Sequence, residues 1–398
     1  MGTSLRNSAT SLKKGLTTYT PVMKKWKGIS AVVGLVLCST CGGLAAGELS
    51  LRLVGPRLWG RMMGVGSDYP WLAYHPILGW VNRPGTSTPA FLINALGFRG
   101  PETSVSKPSG SLRIVCLGDS RTFGVWTDAG RFRYDNDYPA ALERSLHDDA
   151  GAKHVEVINA GVIGYTSAQG LTQLQTQVLK LHPDIITVAF GFNDHSLAWS
   201  PALAAREPRN PFARESFYFA SHSYWFRLGK AVYDSISALH APPLSEPWVD
   251  PEAYQYDLHR FAEVSRKHRI HVLFVSQALR LLEMGESAQA FPGPSQDKAG
   301  LYGLLGVKDL EDLHRLDRSY RDLLFKVAEE EGVPVADAAS AFAERRELLF
   351  GQYDMVHCNA AGARVIAETI RNKLLELGWL LSPESRRGAA AVTSPTER

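Results

Sequence analysis

The stretch Leu112-Arg-Ile-Val-Cys-Leu117, followed at once by Gly118-Asp-Ser-Arg-Thr-Phe-Gly124, decides how the rest of the chain is read. The first part is a short apolar run, which predicts a buried strand. The second is rich in turn residues and opens onto a predicted helix from Tyr138 to Leu146. Moving outward, Val155–Asn159 reads as a second strand, and Ser167 to Leu181 as a helix with Leu171, Leu174, Val178 and Leu181 at helical spacing. Ile185 to Phe190, Ile270 to Val275 and Val333 to Ala336 are three more strand candidates, and a helix from Ala361 to Leu377 closes the pattern. Strands alternating with helices predict an α/β fold with a parallel sheet covered on both faces.

Upstream lies a different kind of sequence. Residues 1–27 carry Arg6, Lys13, Lys14, Lys24, Lys25 and Lys27, and no acid precedes Glu48. Residues 28–47 hold no charge at all, about the length needed to span a hydrocarbon core as helix. The basic side is expected to stay cytoplasmic, which places everything after Glu48 outside the cytoplasm, in the periplasm or at the cell surface. A cleaved signal, with small residues at Gly43-Leu-Ala45 and a secreted product, is the alternative. Leu37 before Cys38 and Thr40 before Cys41 do not make a lipobox. In Leu51 to Trp59, apolar residues alternate with Arg52 and Arg57, a pattern suited to a membrane surface or to a plain connector. Within 48–110, the Pro-, Gly- and aromatic-rich part from residue 68 predicts short strands and turns, up to a boundary at Pro108-Ser-Gly-Ser111. Residues 111–380 form the predicted main domain, and 381–398 an Ala-, Ser- and Pro-rich disordered tail.

Composition narrows the class. Of 398 residues, 45% are hydrophobic and 21% charged, so the chain is too apolar to be disordered. A net charge of +3 offers no general case for nucleic acid as partner. Cys38, Cys41, Cys116 and Cys358 have no zinc-site spacing and make no disulfide framework; free thiols are expected, with a Cys116–Cys358 bridge left open. No metal motif, phosphate loop or internal repeat is present, so neither metal nor cofactor is expected.

Four motifs carry chemistry. Ser120 sits just past the first strand, at the carboxyl edge where parallel sheets build sites. Asp354-Met-Val-His357, with Asn359 and Gly362 behind it, offers a base and the acid that orients it. Asn159-Ala-Gly-Val-Ile-Gly164 and Gly191-Phe-Asn-Asp194 follow the second and third strands. The Ser120 and Gly164 N–H groups and the Asn193 side-chain amide would donate to a developing oxyanion.

Gly118-Asp-Ser-x-Thr-x-Gly, the Asn159–Gly164 block, Gly191-x-Asn-Asp and Asp354-x-Val-His357 together resemble the sequence blocks of SGNH (GDSL-type) hydrolases, over residues 112–378. The resemblance implies a flavodoxin-like three-layer α/β/α domain, here preceded by a transmembrane helix and a small β-rich extension. It implies Ser120 as nucleophile, His357 as base, Asp354 as its orienter, and Ser120, Gly164 and Asn193 as the oxyanion hole. The activity implied is ester hydrolysis without a cofactor, on acetyl or short acyl groups of a glycan or lipid. An O-acyltransferase acting on surface glycans, and a non-catalytic glycan-binding or assembly protein, are the alternatives. Oligomeric state is left open.

Two departures stand out. Arg121 follows the serine where an apolar residue is common, and is expected to face solvent in the first helical turn or to meet an anionic substrate group. The segment 197–249, with Phe212, Phe217, Tyr218, Phe219, Tyr224, Trp225 and Phe226, is expected to pack its own aromatics or to roof the site. The loop around Phe291-Pro-Gly-Pro294 is a candidate lid. The segment Tyr69–Gly100 is a candidate glycan surface.

Overall fold

The computed structural model describes residues 30–54, 70–75, 77–128, 131–148, 154–196, 216, 219–220, 223–238, 247–280, 306–345, 347–351 and 354–380. In chain order these form α1 (Ser30–Val54), β1 (Leu72–His75), β2 (Gly79–Asn82), β3 (Leu112–Gly118), α2 (Ser120–Phe123), β4 (Trp126–Asp128), β5 (Arg131–Arg133), α3 (Tyr138–His147), β6 (Val155–Asn159), α4 (Ser167–Thr176), β7 (Ile185–Ala189) and α5 (Phe192–His195). They continue with α6 (Tyr224–Ala238), α7 (Pro251–His268), β8 (His271–Val275), α8 (Leu310–Glu331), β9 (Val335–Ala336), α9 (Ala338–Ala343) and α10 (Ala360–Glu376).

Five parallel strands make the main sheet in the order β6-β3-β7-β8-β9. Numbered by their place in the chain this is 2-1-3-4-5, the flavodoxin-like order. β3 shows how the sequence builds the layers. Its residues alternate between faces: Val115 and Leu117 join the core beneath α4, α7 and α8, while Ile114 and Cys116 join the core beneath α3, α9 and α10. Both cores are apolar, so the strand reads as a continuous apolar run.

The short-strand segment before β3 contributes to the same packing. β1 and β2 form an antiparallel hairpin, and Leu72, Leu78, Trp80 and Phe98 belong to the core on the α4 side. Trp80 is fully buried. Its indole N–H donates to the Ile163 carbonyl, and the Tyr165 hydroxyl donates to the Trp80 carbonyl. The hairpin is thus held against the loop that follows β6.

α1 extends beyond the uncharged stretch to Val54, so the expected break at residues 47–48 lies inside one helix. Leu51–Val54 is its last turn rather than the start of a surface connector; residues 55–59 lie outside the described residues. Glu48 and Arg52, one turn apart at 3.1 Å, support the continuation. By length and composition α1 suits a membrane span or a signal sequence. Its most apolar 18-residue window has mean hydropathy 1.7, and none of it is buried in the rest of the protein.

Of the aromatic segment 197–249, the described part is mainly α6. Phe212, Phe217 and Tyr218 lie outside the described residues, as does the loop at Phe291–Pro294. All four cysteines are free, Cys116 and Cys358 buried and Cys38 and Cys41 exposed on α1.

Candidate active site

The turn after β3 is shaped by close approach. β3 ends at Gly118, beside Ala189 at the end of β7. A Cβ on Gly118 would lie 2.0 Å from the Thr122 hydroxyl oxygen and 2.9 Å from the Ala189 carbonyl oxygen, so only glycine lets the chain turn here. Asp119 caps α2 by accepting from the Arg121 N–H. Ser120 is the first residue of that helix.

The loop between α9 and α10 brings the remaining two groups. Asn359 caps α10 by accepting from the Ala361 and Gly362 N–H groups. Its amide also donates to the Leu348 and Phe350 carbonyls, tying the loop to the body of the domain. From this support His357 points Nε2 at Ser120 Oγ, 2.8 Å away. The other ring nitrogen, Nδ1, lies 3.0 Å from Asp354 Oδ2. Asp354 Oδ1 accepts from the Val356 and His357 backbone N–H groups at 3.0 and 2.9 Å. Burial pushes the Asp354 carboxyl up, but the adjacent His357 and these hydrogen bonds outweigh it and hold the group at about 2. It is therefore ionised at neutral pH, which places a proton on Nδ1 and leaves Nε2 free to accept from the serine.

The candidate oxyanion donors occupy the adjoining edge. The Val162 N–H donates to the Gly118 carbonyl, fixing the loop after β6 beside the turn that carries Ser120. Gly161 of this loop approaches α2 so closely that a Cβ would lie 2.3 Å from the Phe123 nitrogen. Gly164 has φ 78°, in the left-handed region. The Asn193 amide donates to the carbonyl of Tyr165, the residue after Gly164, at 2.9 Å. That bond uses one of its two hydrogens. Asp194 ties the same corner, since its carboxylate accepts from the Ser167 N–H and hydroxyl at the start of α4. Burial raises Asp194 to about 7, an effect the Ser167 bonds oppose and the nearby Asp257 adds to. His195, set aside as a site residue from its position, is buried against Asp317 at 3.4 Å.

Arg121 departs from expectation. It is buried rather than solvent-facing, with its guanidinium donating to the Gln277 side chain and the Ala278 carbonyl and lying 5.4 Å from the centre of the Phe192 ring. The physical reason is Asp119. A carboxylate buried as an N-cap favours a nearby cation, and Arg121 Nη2 approaches it to 3.5 Å. Gln277, just past β8, donates to Asp119 and to the Ala189 carbonyl and accepts from the Phe192 N–H. This residue links two of the motif loops, those after β3 and β7, and the sequence reading missed it. Its one signal was a polar side chain at the carboxyl end of a buried strand.

Arg99 was missed as well. Its backbone N–H donates to the Asn159 carbonyl, and its buried guanidinium donates to the Phe123 and Tyr134 carbonyls and pairs with Asp137 at 3.3 Å. Phe123 is the last residue of α2. A residue of the segment before β3 therefore grips the far end of the helix that Ser120 begins. Among the described residues no group of three or more His, Cys, Asp or Glu is arranged to hold a metal ion.

The chain belongs to the GDSL-like lipase/acylhydrolase family, whose sequence model matches residues 116–365, and it is an ester hydrolase of this SGNH type. Solved structures similar to it include an α/β hydrolase enzyme from the metagenome of Lake Arreo, Spain, at 19% identity over 68% of this chain and 97% of that one, TM-score 0.41. A lipase/acylhydrolase from Enterococcus faecalis is 17% identical over 67% and 96% of the two chains, TM-score 0.39. A catalytic mutant of an acetylxylan esterase from Geobacillus stearothermophilus is 16% identical over 69% and 97%, TM-score 0.40. The family membership rests on the sequence match. No curated protein matches the chain.

Proposed function

We propose that this hydrolase works through an acyl-serine on Ser120, with His357 as general base and acid and Asp354 as its orienting partner. The observation that carries the reading is the unbroken relay from Ser120 Oγ to His357 Nε2 and from His357 Nδ1 to Asp354. His357 takes the serine proton as Oγ attacks the ester carbonyl. The negative charge that develops on the carbonyl oxygen is held by the Ser120 and Gly164 N–H groups and the second Asn193 amide hydrogen. The C–O bond to the alcohol breaks as His357 returns the proton to the leaving oxygen. Water then attacks the acyl-serine, giving its proton to His357, and the carboxylic acid leaves as Ser120 recovers its hydrogen. The chemistry needs no cofactor.

The substrate class proposed is an acetyl or short acyl ester carried on a glycan or lipid. Its support is the expected location: α1 read as an uncleaved anchor, with its basic flank in the cytoplasm, would hold the domain on the outer side of a membrane, within reach of surface glycans and lipids. The full chain is assayed in detergent against aryl esters of graded acyl length and acetylated glycans, with Ser120→Ala in parallel and fluorophosphonate labelling of both. Hydrolysis and labelling that are both lost in Ser120→Ala support the proposal, and a rate highest for two to four acyl carbons, or on acetylated glycan, supports the substrate class. Hydrolysis that survives in Ser120→Ala overturns the nucleophile. Labelling without hydrolysis favours transfer to an acceptor, and absence of both favours a binding role.

A further inference from the structure

We infer that α6 is an interfacial helix, seated along its exposed apolar face in the headgroup region of the membrane that α1 enters. The inference rests on α1 being an uncleaved anchor. Two independent observations meet in it.

The first is how α6 begins. The Glu48 carboxylate of α1 accepts from the backbone N–H groups of Tyr224 and Trp225, at 2.8 and 3.2 Å, and from the Ser223 hydroxyl. Glu48 thus serves as the N-terminal cap of a helix far away in sequence, with its charge at the positive end of that helix. The Trp225 indole N–H donates to the Leu44 carbonyl at 3.0 Å. A Cβ on Gly47 would lie 2.2 Å from the Trp225 ring, so Gly47 leaves the notch that the indole fills. Arg52 lies over the Tyr224 ring at 5.3 Å.

These contacts set a depth. Glu48 is the first charged residue after the uncharged stretch, so the hydrocarbon boundary falls beside it. Trp225 sits at that level, where tryptophan is favoured because one end of its ring system is apolar and the other polar. α6 therefore starts at the membrane–water boundary.

The second observation is the face that α6 presents. Trp225, Val232, Tyr233 and Ile236 are 43, 43, 67 and 57% exposed. At about 100° per residue they fall within an arc of roughly 100°, a single stripe along the helix. Gly229 lies in the same stripe, and nothing is within 4 Å of where its Cβ would be. A stripe of this kind on water is unfavourable, and its first residue already touches the anchor. The surface that covers it is then the bilayer into which α1 continues.

The test uses the full chain with Cys38→Ser and Cys41→Ser, which leaves only buried thiols. Single cysteines are placed at Leu37, Val232, Ile236 and Ser319 and carry nitroxide labels. Each protein is reconstituted in phosphatidylcholine/phosphatidylglycerol vesicles, and label depth is read from accessibility to oxygen against a water-soluble nickel chelate. The expected result is deep burial at 37, headgroup depth at 232 and 236, and full water exposure at 319. A deep label at 37 with 232 and 236 as exposed as 319 overturns the inference and leaves the anchor standing. A label at 37 that reads as water overturns the anchor and the inference with it.

Discussion

Replacing Arg99 by Met keeps most of the side-chain volume and removes the guanidinium that grips the end of α2, the helix that begins at the proposed nucleophile Ser120. The side chain is 6% exposed and its partner Asp137 16%, so the pair lies largely out of water. Deleting one partner of such a pair costs about 3–5 kcal/mol, because the other charge stays buried. The Phe123 and Tyr134 carbonyls also lose their donor, at about 1–3 kcal/mol for a carbonyl that water does not reach. Asp137 keeps its N-cap bond to the Ala140 N–H and can turn toward water, so the two costs overlap. A net loss of about 4 kcal/mol is expected. At about 2–4 °C per kcal/mol for a domain of this size, Tm falls by roughly 10 °C. Arg99→Lys restores the charge beside Asp137 but not the fork that reaches two carbonyls, and recovers about half. Activity reports separately on geometry. Phe123 is one turn from Ser120, and a shift of about 1 Å between Ser120 and His357 costs about 10² in kcat. The assay is a thermal scan of each full-length variant in detergent, with kcat for an aryl ester measured well below each midpoint. A Tm within about 3 °C of wild type, with kcat within threefold, would refute the reasoning.

Three further predictions follow from the site. In Asp354→Asn the new amide donates to His357 Nδ1 and forces the proton onto Nε2, so kcat falls by about 10⁴ while fluorophosphonate labelling slows in step; an unchanged labelling rate would sink the assigned role. Asn193→Ala removes one proposed oxyanion donor and lowers kcat by about 10²–10³ with little change in KM, as measured by steady-state hydrolysis; a change in KM alone would mean that the amide acts only through Tyr165. Asp194 titrates at about 7 when folded against 3.8 for the free side chain, because burial favours its neutral form. The unfolded chain gives up this proton first, so the contribution to stability is full below about pH 4 and is lost as pH rises to about 7. Asp194→Asn removes that slope from urea midpoints measured between pH 4 and 8; curves that run parallel to wild type would show that the group is not proton-linked to folding.

The sequence by itself determined the sheet and the motif positions. β3, β6, β7 and β8 were legible because each is an apolar run bounded by turn residues, and burial on both faces requires such a run. Ser120, Asn159, Gly191 and their neighbours were legible because parallel strands deliver their carboxyl ends to one edge. Asp354 and His357 were legible because their spacing lets an acid fold back onto its own histidine. Only the tertiary structure decided what holds these groups in place. Arg121 read as a solvent-facing residue because sequence does not show that Asp119 is buried beside it. Arg99 and Gln277 gave almost no local signal. Each acts by bonding to backbone carbonyls and polar groups far along the chain, and no periodicity encodes a partner that folding brings near. The same holds for Glu48, which reads in sequence as the first charge after an apolar stretch. In the fold it caps a helix more than a hundred residues away, because the positive end of α6 meets it on the side of α1.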